Sequence, residues 1–283
     1  MQNQTIAIIG AGVMGCATAL EASRHGYDVI LKDISAAALE KAPKIIKQEY
    51  RSACLFNKEY SAVNLDTILS RITFQDDYLN IEKAEIVIEN ISENLHEKTS
   101  EYKRLAEVCK KDTLFALNTS CISITKLASF LPDPTKVIGI HLMNPVPLKE
   151  MVEVVRGYHT SDQTKEEVVS FLRSLEKSAI VIGDLPGFVS NRLSHLFMNE
   201  AAFIVQDGIA TAEQVDNIIK QGFNHKMGPL ETADLIGLDT VVHSLDVLYN
   251  SYHDPKYRCC PLLQKMVDAG QWGRKSRKGF YEY

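Results

Sequence analysis

The sequence predicts an α/β protein, a doubly wound and mostly parallel sheet followed by an all-helical C-terminal domain. Three observations carry this. Short apolar runs alternate with helical stretches from residue 5 to about residue 184, the order that builds a sheet with helices on its faces. Several runs are continuously apolar, as in strands covered on both sides. Beyond Gly183-Asp184-Leu185-Pro186-Gly187 only helical spacing remains. The expected domains are therefore 1–184 and 185–283, in line with a 283-residue chain at about 150 residues per domain.

In chain order the predicted strands are 5–9, 27–32, 85–89, 114–117, 137–141, 151–156 and 179–182. Stretches such as 13–25 and 96–109 are long enough for crossover helices. In the second domain Leu193, Leu196, Phe197, Ala201, Ile204 and Val205 recur at helical spacing, and Thr211 with Gln214 forms a capping box opening another helix.

Composition narrows the function. With 31 basic and 36 acidic side chains the net charge is −5, and no basic stripe precedes the last residues, so nucleic acid is a poor partner. Six cysteines lie scattered without a CxxC pair, which argues against a disulfide framework or a zinc site and suggests a reducing compartment. No histidine pairs with cysteine or another histidine at metal-ligand spacing, so no metal is expected. No run reaches the roughly 18 apolar residues of a membrane span, and the first strand leaves no room for a signal peptide. The cytoplasm is the expected location.

The first strand runs into Gly10-Ala11-Gly12-Val13-Met14-Gly15 and then a helix, the Rossmann-type GxGxxG arrangement. Gly10 allows the turn, Gly12 lets the backbone approach a pyrophosphate, and Gly15 lets helix and strand pack closely. The helix start offers N–H groups and a positive dipole end to phosphate. The second strand ends at Asp33, where a carboxylate receives the adenosine ribose hydroxyls and repels a 2′-phosphate, so NAD is the expected cofactor. Asp33 also suits a helix cap, and the adjacent Lys32 leaves an opening for NADP.

His141 closes the apolar strand 137–141, where ligand sites of such sheets lie, and Pro145 and Pro147 stiffen the loop beyond. A neutral imidazole can accept the proton an alcohol loses on oxidation, and Glu153 in the next strand could orient it and balance its charge. The same two residues also read as a buried, hydrogen-bonded histidine and a strand-edge charge.

The run His141-Leu-Met-Asn-Pro-Val-Pro-Leu-Lys-Glu-Met-Val-Glu153-Val resembles the signature of the L-3-hydroxyacyl-CoA dehydrogenase family. So do Glu93-Asn94-Leu95 with Lys98, Asn118-Thr119-Ser120, Pro186 to Arg192, Gly228-Pro229-Leu230-Glu231 and Gly279-Phe280-Tyr281. Together they span nearly the whole chain, most like the short, single-function 3-hydroxybutyryl-CoA dehydrogenases. The resemblance implies that His141 is the general base and Glu153 its partner. Ser120 and Asn191 would then hold the reacting oxygen and the thioester end. Glu93, Lys98, Asn144 and Lys275 would join Gly10, Ala11, Gly12, Val13, Met14, Gly15 and Asp33 around NAD. It also implies a homodimer through the helical domain.

Two departures stand out. CoA-using relatives carry a lysine-rich stretch after the second strand, whereas 49–58 offers only Arg51 and Lys58 beside Glu49. Some relatives oxidise a glyceryl group on an acyl carrier protein and need no CoA phosphate site, and Ser92 and Pro261-Leu262-Leu263 are compatible with that branch. Arg277 stands where the family usually has glycine, a strained choice if φ there is positive. Two other classes are weaker. β-Hydroxyacid dehydrogenases use lysine rather than a His–Glu pair, and catalytically inactive structural relatives would not need all four reacting-end residues.

Overall fold

The structure, a computed structural model, describes residues 4–283. Its contacts divide the chain into two compact units, one ending at Leu185 and one running from Pro186 to Tyr283.

The first unit is one eight-stranded sheet. Its strands are β1 (Thr5–Ile9), β2 (Asp28–Lys32), β3 (Ile72–Gln75), β4 (Ile86–Glu89), β5 (Leu114–Asn118), β6 (Val137–Leu142), β7 (Met151–Arg156) and β8 (Ser178–Gly183). The spatial order is β3-β2-β1-β4-β5-β6-β7-β8. All neighbours run parallel except β6 and β7, which are antiparallel. Its helices are α1 (Val13–Arg24), α2 (Ala36–Phe56), α3 (Leu65–Ser70), α4 (Leu95–Val108), α5 (Ile124–Ala128) and α6 (Asp162–Ser174). Ile6, Ile8, Leu31, Ile88, Ile138 and Val154 are nearly or wholly buried in the core. This explains why the central strands read as unbroken apolar runs.

One strand, β3, is absent from the sequence-based list. It is four residues long, pairs only with β2 at the sheet edge, and buries Ile72 alone. So short an edge segment shows little of the apolar run that betrays the others. The chain reverses between β1 and β4: β1 connects outward to β2 and β3, and the chain then returns to β4 on the other side of β1. Such a switch point opens a crevice beyond the carboxyl ends of the strands.

The second unit is helical, with α7 (Ser190–Gln206), α8 (Ala212–Phe223), α9 (Pro229–Ile236), α10 (Leu238–Tyr252) and α11 (Pro261–Asp268). Met198, Ala202, Leu230, Leu238, Val241 and Leu245 form its core. The capping box at Thr211 is formed in both directions, Gln214 N to Thr211 Oγ1 at 3.2 Å and Thr211 N to Gln214 Oε1 at 2.9 Å. Two buried carboxylates fix the C-terminal tail. Asp216 accepts from the amides of Leu230 and Glu231 and from the Tyr281 hydroxyl. Asp234 accepts from the amides of Phe280 and Tyr281. A Cβ on Gly228 would fall 2.2 Å from the Asp216 carboxyl carbon, and one on Gly279 2.1 Å from an Asp234 oxygen. Both glycines exist so that the tail can close. Arg277 adopts φ 61°, the left-handed region, so the residue that departs from the family's glycine bears the expected strain. Among the described residues no helix is long and apolar enough to cross a membrane.

Candidate active site

The loops that follow β1, β4, β5 and β6 all leave the same edge of the sheet, because those four strands are parallel. The first is the glycine loop. Gly10 has φ 104°, and a Cβ there would lie 2.7 Å from the Asn90 carbonyl oxygen. A Cβ on Gly15 would lie 1.8 Å from the Gly10 oxygen, whereas one on Gly12 would meet nothing within 4 Å. Two glycines therefore bring the loop against its own protein, and the third leaves open space above the backbone. No side chain caps the start of α1 and its first turn carries no acid, so its dipole end is uncompensated there.

Asp33 closes β2 and binds this loop, its Oδ2 accepting from Ala11 N at 2.7 Å and its Oδ1 from Ser35 N at 2.8 Å. Ser35, not Asp33, caps α2. A crevice of about 500 Å³ opens beside Gly10, Gly12, Asp33, Ile34, Asn90 and Ile91. Asn90 Nδ2, buried at its edge, has no acceptor within the protein. A tight turn, an open glycine, an uncapped helix start, a ribose carboxylate and an orphaned amide fit a dinucleotide. Lys32 does not extend that fit to a 2′-phosphate. It is 1% exposed, with Nζ 2.9 Å from Glu101 Oε1 and 3.0 Å from the Tyr78 hydroxyl. Lys32 lines the crevice, but its charge is already neutralised there by Glu101, so the opening for NADP expected from it is not supported.

His141 and Glu153 face each other directly across the antiparallel β6–β7 pair. His141 Nδ1 lies 2.7 Å from Glu153 Oε2, and both residues are buried. A carboxylate at that distance holds the proton on Nδ1 and leaves Nε2 as the basic nitrogen. A buried, hydrogen-bonded histidine and an acid–base couple are thus the same arrangement.

Glu93 sits in the loop after β4 and gathers the loop after β5. Its Oε1 accepts from Thr119 Oγ1 at 2.5 Å, Ser120 N at 3.0 Å and Cys121 N at 2.9 Å. Glu93 thereby sets the backbone that carries Ser120. Lys98, expected among the cofactor contacts, is paired within the protein. It is fully buried, with Nζ 2.8 Å from both Glu89 oxygens and 3.9 Å from Glu93 Oε2. The Tyr102 hydroxyl completes the Glu89 shell at 2.6 Å. Lys98 thus joins Glu89 at the end of β4, Glu93 in the loop after it and the Asn118 carbonyl at 3.5 Å at the end of β5.

Sequence reasoning assigns Asn118 no role beyond its motif. Its Nδ2 donates to Asn90 Oδ1 at 2.7 Å and its Oδ1 accepts from Leu142 N at 3.3 Å. One amide thus ties the β4 loop to the end of β6. The available signal was a polar residue closing an otherwise buried apolar strand, the same signal that Glu89 gives. Asn144 is exposed in the loop between β6 and β7. Asn191 lies in the first turn of α7, its carbonyl accepting from His195 Nδ1 at 2.9 Å. Lys275 pairs with Asp239 at 2.5 Å. Among the described residues no group of His, Cys, Asp and Glu side chains is arranged to hold a metal ion.

Residues 49–58 are indeed poor in cations, but α2 begins at Ala36 and its exposed face adds Lys41, Lys44 and Lys47 to Arg51.

Comparison with known proteins agrees along the whole chain. Residues 5–185 match the model of the 3-hydroxyacyl-CoA dehydrogenase NAD binding domain, and residues 187–283 match that of the C-terminal domain. The chain is 40% identical over 283 residues to a probable 3-hydroxybutyryl-CoA dehydrogenase of Bacillus subtilis, covering 100% of this chain and 98% of that protein. It is 40% identical over 278 residues to a 3-hydroxybutyryl-CoA dehydrogenase of Clostridioides difficile, covering 98% and 99%. Among solved structures, (S)-3-hydroxybutyryl-CoA dehydrogenase from Ralstonia eutropha is similar with a TM-score of 0.92 and 37% identity, covering 100% of this chain and 99% of that one.

Proposed function

The chain belongs to the 3-hydroxyacyl-CoA dehydrogenase family, and from that premise we propose that it interconverts a short L-3-hydroxyacyl-CoA and the 3-oxoacyl-CoA with NAD. The observation that carries the reading is the His141–Glu153 pair at 2.7 Å, on the same sheet edge as the glycine loop.

Bound NAD would lie against Gly10 to Gly15 and Asp33, with Glu93, Asn144 and Lys275 as further contacts, and would supply the hydride acceptor or donor. In the oxidation His141 takes the 3-hydroxyl proton at Nε2 while Nδ1–H keeps donating to Glu153. The carboxylate compensates the imidazolium that results. The family resemblance would assign the oxygen and the thioester carbonyl, where charge develops, to Ser120 and Asn191. In the reduction His141 returns the proton to the same oxygen.

The exposed lysines of α2 favour CoA, because phosphate oxygens accept charge-assisted hydrogen bonds. We also propose a homodimer through the helical unit. The support is apolar side chains at Leu193, Ile209, Ile218 and Phe223, each more than half exposed in the single chain, which a second copy would cover.

The test is steady-state kinetics with acetoacetyl-CoA and NADH beside a glyceryl thioester on a carrier protein. A kcat/KM of ~10⁴ M⁻¹s⁻¹ or more on the CoA thioester supports the reading. Turnover of the carrier-protein thioester alone replaces CoA as substrate, and failure to bind NADH removes the enzymatic reading altogether.

A further inference from the structure

The loop joining β6 to β7 has only two backbone hydrogen bonds of its own among the described residues, Leu148 N to the Pro145 oxygen at 3.0 Å and Lys149 N to the Val146 oxygen at 3.4 Å. Pro145 and Pro147 carry no N–H, and the carbonyls of Val146 and Lys149 also accept from a distant side chain. That side chain is Lys177, which follows α6 and precedes β8. Its Nζ lies 2.7 Å from the Val146 oxygen and 3.1 Å from the Lys149 oxygen.

A buried ammonium needs a counter-charge. Glu21 on α1 provides it, with Oε1 3.9 Å from Lys177 Nζ and both side chains at most 4% exposed. The Tyr60 hydroxyl holds the other Glu21 oxygen at 3.0 Å. Burial pushes the Glu21 carboxyl up and the Lys177 ammonium down, and each opposes the shift of the other. The backbone around the lysine is also tied on both sides, Lys177 N to the Leu172 oxygen at 2.9 Å and Ser178 N to the Glu150 oxygen at 2.8 Å. None of these groups takes part in the proton transfer described above. Three separate elements, α1, the Tyr60 turn and the start of β8, thus converge on one proline-stiffened loop, and that loop carries Asn144.

We propose that Lys177, seated on Glu21, is a positioning residue that fixes the path of the Asn144–Lys149 loop and so places Asn144 for the cofactor. The inference rests on the reading of Asn144 as a cofactor contact. Its prediction concerns cofactor affinity more than the proton step, since His141 and Glu153 are held by their own strand pairing.

The experiment is NADH titration by fluorescence in the full-length protein and in Lys177→Met, Asn144→Ala and the double variant, with circular dichroism to confirm folding. The expected result is a Kd raised about 5- to 10-fold by each single change and no more than about twofold further in the double. An unchanged Kd in folded Lys177→Met, an unchanged Kd in Asn144→Ala, or full multiplication of the two effects would overturn it. Should Lys177→Met not fold, Glu21→Gln removes the counter-charge and is expected to raise the Kd in the same way, with the same non-additivity; an unchanged Kd there overturns the proposal too. Wild-type protein that binds no NADH defeats the proposed function itself, which keeps the two failures distinct.

Discussion

Lys32 and Asp33 are adjacent at the end of β2 and both line the cofactor crevice, but Lys32 is already paired with Glu101 at 2.9 Å, whereas Asp33 holds the Ala11 amide at 2.7 Å on the glycine loop. Only the carboxylate is available to a ribose. NADPH is therefore expected to be used at least ~10²-fold less efficiently than NADH, measured as kcat/KM, since a like charge opposes its 2′-phosphate. Asp33→Ala should narrow that ratio mainly by weakening NADH. Lys32→Met should leave the ratio alone and cost about 3 kcal/mol in denaturant unfolding, because it strands Glu101 in the interior.

His141→Gln removes the proton acceptor and leaves the glycine loop untouched. Its kcat should fall at least ~10²-fold with NADH affinity within about twofold of wild type. Stopped-flow and equilibrium titration separate the two quantities, and near-normal turnover would remove His141 from the chemistry.

Arg277 occupies a left-handed position at φ 61°. Arg277→Gly should raise stability by about 1 kcal/mol, the usual penalty for a side chain in that region less the flexibility glycine adds to the unfolded chain. Gly279→Ala should do the reverse and lower stability by at least ~2 kcal/mol, since its methyl would meet the buried Asp234 carboxylate. Thermal melts of the two variants, read against wild type, check both signs.

The thiols of Cys16, Cys109 and Cys259 are pushed up to about 12, in each case chiefly by burial. Raising a thiol's pKa lowers its thiolate fraction, here to ~10⁻⁴ at pH 8. Native protein treated with iodoacetamide at that pH should leave these three largely unlabelled by mass spectrometry, and labelling should follow unfolding. Prompt alkylation of Cys16 in the native state would contradict its placement.

Much of this was legible in advance. Continuous apolar runs revealed the central strands because both faces of the sheet are covered, and the glycines of the first loop announced their backbone geometry. The His141–Glu153 couple was visible as two residue types at suitable strand positions, although only pairing across the strands brings them into contact. What stayed hidden depends on partners far apart in the chain. Lys98 reads as a cofactor contact and Lys32 as an opening for NADP, yet each is buried against a glutamate that no local pattern connects to it. Asn118 looks like a strand terminus until Asn90 and Leu142 arrive on either side of it. Edge strand β3 was missed because it is short and half covered.

The reversal of direction between β6 and β7 has a bearing on mutational tolerance. Because the two members of the couple sit opposite one another in a single hairpin, their meeting depends on the register between β6 and β7. A slide of β7 by one place would turn Glu153 to the far face of the sheet. A change in the length of the connecting segment is therefore compatible with function only where the loop itself absorbs it and leaves that register intact.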